Sequence, residues 1–335
     1  MNSKDCILHI IIPCYNEVKF ISDCLNSILA NRLDSNNTII SIVDGGSNDG
    51  TLEICHEYAL KYKFIKLLNN HKRLQVNGLN LALKSISSEY VIRCDAHSIY
   101  PDDYFESLVE YLIQNPDVGN VGRKIKTCSD GNSLLNRAIE YIYSSKIGVG
   151  SSHRSLPINT PTEVETLLFG AWRYSIFTEV GFFDENFVRG QDAEHNVRIS
   201  DKGYKIIIIP GKPVLYFTRN SLRNCLKKTF QYAAVKPLIT AKFKSLKYKR
   251  SFIPALFFTL LFIIAFFSPP LLVITFLSYC TFIFQYIYRE KNDLYFSFIA
   301  STITPIVHFS HAIGFYYGIL NILSKKKKID FNHTR

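Results

Sequence analysis

Two long stretches without a charged residue near the C-terminus restrict most strongly the folds open to this chain. The first runs from Ser251 to Tyr288 and the second from Leu294 to Ser324. Each is longer than the roughly 20 apolar residues that cross the hydrocarbon core of a bilayer. Within Phe257–Ile264 the side chains leave no polar face that a helix of a soluble protein would present to water. We therefore expect residues 251–324 to form a membrane region.

The first stretch is too long for one crossing, and Ser268-Pro269-Pro270 divides it near its middle. Because consecutive prolines break a helix, we expect a hairpin over residues 252–288. Its two helices are predicted at about Phe252–Phe267 and Leu271–Tyr288. Such a hairpin would cross the membrane twice and make the protein multi-pass.

Basic residues flank the membrane region on both sides, at Lys242–Arg250 and at Lys325–Lys328. The positive-inside rule places both clusters in the cytoplasm, which requires an even number of crossings. Residues 294–324, divided by Pro305, are therefore predicted to be a re-entrant or interfacial element rather than a span. A single third span with an external tail is the alternative.

The distribution of charge separates the chain into two parts. Residues 1–200 contain 19 Lys and Arg against 24 Asp and Glu, and the rest of the chain contains 20 against 4. Since the basic excess flanks the apolar stretches, it indicates a membrane surface and no nucleic acid. We expect a soluble domain at 1–225, a basic amphipathic interfacial linker at 226–250, and a basic cytoplasmic tail at 325–335.

The N-terminal part is expected to be cytoplasmic. No signal peptide precedes the first strand-like run, and none of the eight cysteines forms a Cys-x-x-Cys pair. We interpret the cysteines as small buried residues of a reducing compartment.

Strand-like and helix-like segments alternate over the first hundred residues. The apolar runs predict strands at Ile7–Pro13, Thr38–Val43, Ile65–Leu68 and Tyr90–Cys94, with helices at Glu17–Ala30, Thr51–Lys61 and Val76–Ile86. This alternation is typical of an α/β fold with a mostly parallel sheet. Ligands bind outside the carboxyl ends of such strands. Polar clusters stand at three of these ends: Cys14–Glu17, Asp44–Thr51 and Asp95–His97.

Two of these clusters have compositions suited to a nucleotide diphosphate. Asp44-Gly45-Gly46-Ser47-Asn48-Asp49-Gly50-Thr51 combines a carboxylate at a strand end with glycines that let the backbone approach a ligand. An ordinary Asx/Gly turn has the same composition. In Asp95-Ala96-His97, the acid and the imidazole project to the same side of an extended chain. The two side chains either bind a divalent cation or have a purely structural role.

Together these motifs resemble those of the family 2 glycosyltransferases, which have the GT-A fold. Pro13-Cys14-Tyr15-Asn16-Glu17 is similar to the family's Pro-x-Tyr-Asn-Glu, and Asp44–Thr51 to its Asp-Asp/Gly-Gly-Ser-x-Asp-Gly-Thr. Asp95-Ala96-His97 stands in the place of Asp-x-Asp, and Gln191-Asp192 in the place of Glu-Asp. The resemblance covers about residues 7–225. It extends to the exopolysaccharide branch typified by succinoglycan glucosyltransferases, which also carry C-terminal membrane helices.

This resemblance implies an inverting, membrane-anchored transferase with a GT-A, Rossmann-like domain. It would move one sugar from a nucleotide-sugar, in first place a UDP-sugar, to a lipid-linked or polysaccharide acceptor in exopolysaccharide or capsule synthesis. Asp192 would be the general base. The donor would be bound by Pro13, Tyr15, Glu17, Asp44, Lys72 and Asp95, a divalent cation (Mn²⁺ or Mg²⁺) by Asp95 and His97, and the acceptor by Trp172 and Arg173.

Departures from the family's motifs leave alternatives open. His97 replaces an acid, and imidazole suits softer ions than Mg²⁺. Either Mn²⁺ is used, or Asp95 alone holds the metal, or a protonated His97 contacts phosphate directly. Gln191 replaces an acid beside the proposed base, which removes a like charge.

Two other functions are alternatives to the transfer of a single sugar. A processive polysaccharide synthase is disfavoured, because residues 231–235 lack the Arg-Trp of the family's Gln-x-x-Arg-Trp motif. A membrane scaffold that binds nucleotide-sugars without catalysis is the alternative from another class.

Overall fold

The protein is described here by a computed structural model that covers residues 7–129, 131, 133–148, 158–218, 221–244, 248–324 and 331. The chain divides into two compact units. The first contains Met1–Lys126 and Pro157–Tyr216, and the second contains Thr127–Leu156 and Phe217–Arg335. The sequence predicts one domain up to residue 225, whereas the structure gives residues 127–156 to the second unit.

A mixed sheet forms the centre of the first unit. Its strands are β1 (Leu8–Cys14), β2 (Thr38–Asp44), β3 (Ile65–Asn69), β4 (Tyr90–Arg93), β5 (Ser98–Ile99), β6 (Val118–Ser129), β7 (Thr162–Glu163), β8 (Ala171–Arg173) and β9 (Lys205–Thr218). Among the described residues their order is β3-β2-β1-β4-β8-β6-β9-β5, with β7 paired to β9.

The parallel half of the sheet is the part that the sequence predicts. Strand β1 pairs in parallel with β2 and β4, so that Ile10 lies opposite Ile40 and Ile92. Every residue of β1 is buried, as expected for a strand covered on both faces. The prediction of an α/β fold is therefore confirmed.

Helices follow the strands and cover both faces of this sheet. The first unit contains α1 (Ile21–Leu29), α2 (Thr51–Lys61), α3 (Gln75–Ser85), α4 (Tyr104–Gln114), α6 (Tyr174–Val180) and α7 (Gln191–Asp201). Because side chains alternate along a strand, β1 sends Ile10 and Ile12 into one core cluster and Ile11 into another. The carboxyl ends of β1, β2 and β4 thus open on loops that these two cores hold in place.

The antiparallel half of the sheet carries no clear signal in the sequence. Strand β8 pairs antiparallel with β4 and β6, and has only three residues. So short a strand offers too few positions for an alternating pattern to be recognised. This strand nevertheless connects the predicted parallel sheet to the region that contains Asp192.

The second unit is helical in its described residues. It contains α5 (Leu134–Ser144), α8 (Leu222–Phe243), a short 3-10 turn (Lys249–Ser251), α9 (Phe252–Phe267), α10 (Pro269–Lys291) and α11 (Leu294–Leu323). By length and composition, three segments of the described chain are long and apolar enough to cross a membrane: Lys249–Phe267, Pro269–Lys291 and Leu294–Leu323.

The helical hairpin expected at Ser268-Pro269-Pro270 is present as α9 and α10. In contrast, the helix does not break at Pro305. Helix α11 is 30 residues long and contains this proline in its interior. A re-entrant segment must reverse its direction, so this part of the prediction is wrong. Pro305 is buried within the unit, where packing offsets the one hydrogen bond that proline removes from a helix.

The basic segment predicted as a linker begins earlier than expected and is packed against its neighbour. Helix α8 starts at Leu222 and buries Ala233, Ala234 and Val235. A Cβ atom added to Gly314 or Gly318 of α11 would overlap the carbonyl oxygens of Phe230 and Ala234, respectively. Glycine at these two positions therefore allows α8 and α11 to approach closely.

Candidate active site

Hydrogen bonds join the loop after β1 to the loop after β2. The backbone N–H of Asn16 donates to Oγ of Ser47 at 2.9 Å, and that of Glu17 donates to Oγ1 of Thr51 at 2.8 Å. Pro13 pairs with Val43 in the sheet, and the Tyr15 side chain lies against Gly45. Two motifs about thirty residues apart in sequence thus form one continuous surface.

Asp44 organises this surface from the end of β2. Its Oδ2 accepts hydrogen bonds from the backbone N–H groups of Gly46 and Ser47 at 2.8 and 3.0 Å, and its Oδ1 accepts one from the Ser47 hydroxyl. Gly46 and Gly50 have φ angles of 82° and 99°, in the region that favours glycine. Asp44 therefore has a structural role in the loop, whatever ligand the loop binds.

Arg93 lies between the two carboxylates to which the sequence assigns chemistry. Its Nη1 donates to Oδ1 of Asp192, and its Nη2 donates to Oδ1 of Asp95 at 3.1 Å. All three side chains are at least nine-tenths buried. The guanidinium also lies 5.6 Å from the centre of the Phe169 ring. One fixed positive charge thus connects the end of β4 to the start of α7.

The charges in this cluster shift one another's equilibria. Burial raises the pKa of Asp192 above its ordinary value, while the Arg93 guanidinium opposes this shift by attraction and hydrogen bonding. Burial also disfavours the charge on Arg93, but Asp192 and Asp95 outweigh it and raise the pKa of Arg93. Asp192 is therefore a buried carboxylate whose ionised form depends on its neighbour.

Two glutamines extend these contacts into a circuit of hydrogen bonds, which the peptide bond between Gln191 and Asp192 closes. Gln75, the first residue of α3, donates from Nε2 to Oδ1 of Asp95 at 3.3 Å. Gln191, the first residue of α7, donates from Nε2 to Oε1 of Gln75 at 2.9 Å. The circuit fixes the position of Asp192, which follows Gln191 in the first turn of α7.

His97 lies beside Glu17 and apart from this circuit. Its Nδ1 is 3.3 Å from Oε1 of Glu17, and its ring contacts Tyr216 with a centroid distance of 4.7 Å. The pairing of His97 with Asp95 on one metal stays a prediction. These contacts show that His97 belongs to the surface formed by the first two loops.

A divalent cation fits this site only if the substrate supplies part of its coordination. Among the described residues, no three His, Cys, Asp or Glu side chains form a ligand set. The hydrogen bonds at Asp95 use Oδ1, which leaves Oδ2 able to bind a cation. Mg²⁺ is usually held by one or two carboxylates together with substrate phosphates, and this arrangement agrees with that pattern.

Lys72 lies at the outer edge of the site in an exposed ion pair. Its Nζ is 3.0 Å from Oε2 of Glu185, and hydrogen bonding to Lys72 lowers the pKa of this carboxyl. Glu185 also accepts from Asn80, which donates to the carbonyl of Phe183 as well. These bonds attach the segment before α7 to α3. No sequence motif predicts a role for Glu185.

The structure corrects both acceptor assignments. Trp172 is 2% exposed and packs edge-on against Phe177 and Phe183, so that no ring face is available to a sugar. Arg173 donates to the carbonyl oxygens of Leu112 and Pro116 at 2.6 and 2.9 Å. Trp172 is thus a core residue, and Arg173 holds the C-terminal end of α4, where carbonyls lack helical partners.

Neighbours of Asp192 on α7 have structural partners. Arg198 donates to Glu194 and to the carbonyls of Val180 and Phe182. His195 contacts the Gly181 carbonyl at 3.1 Å, and burial lowers its pKa to about 3, so it is neutral. These contacts give Glu194 and His195 structural roles on α7.

Two residues of this site, Arg93 and Gln75, have roles that are not predicted by any motif in the sequence. Arg93 was part of the motif around Asp95, but its partner Asp192 is 99 residues away. Gln75 carried no motif. An arginine in a buried strand, two residues before an acid, is the one signal that pointed to an ion pair, since such a charge needs a partner.

Sequence comparisons agree with the motifs. A sequence profile of Glycosyl transferase family 2 matches residues 9–168. The chain is 34% identical over 226 residues to succinoglycan biosynthesis protein ExoA of Rhizobium meliloti, covering 67% of each chain. It is 30% identical over 242 residues to a dolichyl N-acetyl-α-D-glucosaminyl phosphate 3-β-D-2,3-diacetamido-2,3-dideoxy-β-D-glucuronosyltransferase of Methanococcus voltae, covering 70% of this chain and 74% of the relative.

A comparison with solved structures supports the fold. The mannosyltransferase PcManGT of Pyrobaculum calidifontis, solved with GDP-Man and Mn²⁺, superposes with a TM-score of 0.55 at 16% identity. The superposition covers 95% of this chain and 87% of the other. At this identity the likeness establishes a GT-A fold and no more.

Proposed function

The chain belongs to glycosyl transferase family 2, and from this membership and the geometry of the site we propose that it transfers one sugar from a nucleotide-sugar with inversion at the anomeric carbon. The observation that carries the proposal is the ion pair of Arg93 with both Asp95 and Asp192. Arg93 thereby fixes Asp192, a carboxylate suited to the acceptor, beside Asp95, a carboxylate suited to the donor.

In this mechanism the acceptor hydroxyl attacks the anomeric carbon as the bond to the diphosphate breaks. Asp192 takes the proton of that hydroxyl. Its hydrogen bond to Arg93 uses Oδ1, which leaves Oδ2 for the acceptor. A general base of this kind contributes about 10²–10⁴-fold to the rate. No covalent intermediate is needed, and the geometry corresponds to inverting hydrolysis with a sugar hydroxyl in place of water.

The donor is assigned to the surface formed by Pro13, Tyr15, Glu17 and Asp44, with Asp95 beside the diphosphate. Asp95 and His97 would hold the divalent cation, which supplies positive charge to the leaving diphosphate when bound. Lys72 lies next to this surface, and donor phosphate would compete with Glu185 for it. A UDP-sugar is the first candidate, and PcManGT, which has a similar fold, was solved with GDP-Man.

The acceptor is proposed to be a saccharide carried on a lipid or a growing polysaccharide. The Methanococcus relative is named for a dolichyl-phosphate-linked acceptor and the Rhizobium relative for succinoglycan biosynthesis. The apolar helices of the second unit suit a lipid-linked substrate. We place the catalytic unit on the cytoplasmic side of the membrane, where nucleotide-sugars are made and where the basic flanks of the helices belong.

The proposal is tested by turnover with a panel of UDP- and GDP-sugars in the presence of Mg²⁺ or Mn²⁺. We expect the purified protein to release nucleoside diphosphate from at least one member of the panel. A protein that binds a nucleotide-sugar in calorimetry but releases no diphosphate with any acceptor would be a scaffold, and the proposal would be wrong.

The donor role of Asp44 is tested separately. We expect Asp44→Ala to weaken nucleotide binding by about 10–150-fold, since a hydrogen bond to a charged group contributes about 1.5–3 kcal/mol. Isothermal calorimetry measures this effect directly.

Asp49→Ala is the matched control for this variant, because Asp49 also holds the loop. It accepts hydrogen bonds from the Thr51 backbone and the Val18 backbone at 3.1 and 3.2 Å. If both variants lose affinity equally, the effect comes from loop structure and Asp44 has no direct donor contact.

A further inference from the structure

The second unit exposes apolar side chains in two places that differ in shape. One is the tip of the α9–α10 hairpin, with exposed Leu260, Phe262, Ile263, Phe266, Phe267, Leu271, Val273, Ile274 and Leu277. The other is a line along α11, which we call the α11 stripe, made of Tyr295, Phe298, Ile306, Phe309, Ile313, Tyr317, Leu320 and Leu323. Both apolar surfaces require something to cover them. The contacts that these helices make within the unit indicate what covers them.

The opposite face of α11 is packed along most of its length. Near its start, the Phe296 ring contacts Tyr141 of α5 at a centroid distance of 5.7 Å. Farther along, Ser310 donates to the Leu226 carbonyl of α8 at 2.8 Å, and Gly318 meets Ala234. From residue 296 to residue 318 a helix rises about 33 Å, which equals the thickness of the hydrocarbon core.

The helices that accompany α11 cannot enter that core. Helix α8 carries Arg223, Lys227, Lys228, Lys236 and Lys242, and α5 carries Arg137 and Glu140. Each Arg or Lys at the centre of a bilayer costs at least about 2.5–3.5 kcal/mol. If α11 crossed the membrane, it would carry these charged helices with it. A position in the plane of the surface instead leaves α5 and α8 in the aqueous or headgroup region.

The spacing of the α11 stripe agrees with this position. Its members are three or four residues apart, except for the eight residues between Phe298 and Ile306, which correspond to about two helical turns, so they occupy one face of the helix. A helix in the membrane plane buries one such face in the acyl boundary.

The hairpin protrudes from this arrangement by a limited distance. Phe257 contacts Tyr279 at 4.5 Å between centroids, and the Tyr279 hydroxyl is 2.6 Å from Nδ1 of His308 on α11. Phe258 also contacts Phe309 of α11. The Thr259 hydroxyl also hydrogen-bonds that of Tyr316 on α11. Beyond this junction, residues 260–267 and 269–278 extend to the tip. Arms of eight and ten residues are about 12–15 Å long, or roughly half of a hydrocarbon core.

From these contacts we infer that the protein binds one leaflet of the membrane, with the α9–α10 tip ending near the bilayer midplane and the α11 stripe lying in the surface. The hairpin then does not cross, and both of its ends stay on the side of the catalytic unit. This inference replaces the two crossings expected from the sequence. It agrees with the placement of Lys325–Lys328, which lie outside the described residues, on the same side as Lys249 and Arg250.

Depth-dependent fluorescence quenching tests the inference. Trp172 is the one tryptophan of the chain, so a Trp172→Phe background leaves a single reporter to be placed. We expect Phe267→Trp, reconstituted in phosphatidylcholine–phosphatidylglycerol vesicles, to be quenched most by lipids brominated near the acyl-chain ends. Leu60→Trp is the control, because Leu60 is 86% exposed on α2, and no brominated lipid should quench it. Strongest quenching by bromine near the headgroups, or no quenching, would overturn the inference.

Cysteine labelling in intact cells gives an independent measurement that does not need the Trp172→Phe background. In a Cys280→Ser parent, we expect Ser268→Cys to resist an impermeant maleimide before and after permeabilisation, because the residue is within lipid. A cysteine at Asn332 should become reactive only after permeabilisation. Labelling of Ser268→Cys from outside would establish a spanning hairpin, and labelling of Asn332→Cys from outside would establish that α11 crosses. Either result contradicts the inference.

Discussion

Asp192→Asn should lower the rate of sugar transfer by about 10²–10⁴-fold, which is the contribution of a general base. The substitution preserves the size of the side chain and an oxygen that can accept the hydrogen bond from Arg93. Nucleotide affinity should therefore remain unchanged in calorimetry while turnover collapses.

The control for this variant is Asp201→Asn, which neutralises an exposed acid at the other end of α7. We expect it to keep nearly full activity. If Asp192→Asn retained half of the normal turnover, the base would have to be sought elsewhere in the site. Family membership would not be affected by that result.

Arg93→Gln should change the pH dependence of turnover as well as its size. Burial raises the pKa of Asp192, and Arg93 is the cation that opposes this shift. Without it, Asp192 takes up a proton at higher pH, and a protonated carboxyl cannot act as a base. The acid limb of the kcat/KM profile should therefore move to higher pH.

The charged groups around Asp192 support this expectation. Within the described residues, Arg93 and Asp95 are the two whose charges act on the pKa of Asp192, and Asp95 shifts it upward. Glu194 on the same helix forms an ion pair with Arg198, with 2.9 Å between Oε2 and Nη2, so that the two charges offset each other. Arg93→Lys retains the charge and should keep the acid limb near its original pH, although one ammonium cannot bridge two carboxylates as a guanidinium does.

Arg123→Gln separates a catalytic effect from simple loss of stability. Arg123 is buried to a similar degree, and its ion pair with Asp103 at 2.6 Å lies outside the circuit around Asp192. Removing Arg93 leaves two buried carboxylates without their cation, at a cost of about 3–5 kcal/mol. Arg123→Gln should cost less, because Asp103 is 56% exposed, but both Gln variants should have lower melting temperatures. An acid limb shifted in both variants, or in neither, would show that Arg93 has only a structural role.

The parallel sheet could be predicted because its evidence is local. Strand β1 consists of residues 8–14, which are all buried. The continuous apolar run at these positions predicts a strand that is covered on both faces. The polar loops follow from topology, since parallel strands bring their carboxyl ends to one edge. The clusters that contain Tyr15, Asp44 and Asp95 are predicted in this way, and the roles of the individual residues come from the resemblance to the family. The antiparallel strand β8 was missed because three residues show no period.

The errors at Trp172 and Pro305 have a different cause. A tryptophan beside a motif suits a sugar platform and a core equally well, and only the rings of Phe177 and Phe183 decide between them. Pro305 breaks a helix by propensity, but α11 is held on one face by α5 and α8, which outweighs that preference. Likewise, the role of Arg93 depends on a partner 99 residues away, and single-sequence patterns do not contain such pairings.

A position of the α11 stripe in the membrane surface would also affect how the protein finds a lipid-linked acceptor. A molecule that lies along a lipid surface moves in two dimensions, and a lipid-linked acceptor moves in the same two. Confinement to a common layer raises the effective concentration of each partner for the other without any added contact between them. Apparent KM for a lipid-linked acceptor then reflects its mole fraction in the bilayer, and dilution with inert lipid reduces the rate even when the amounts of enzyme and acceptor in the tube are constant.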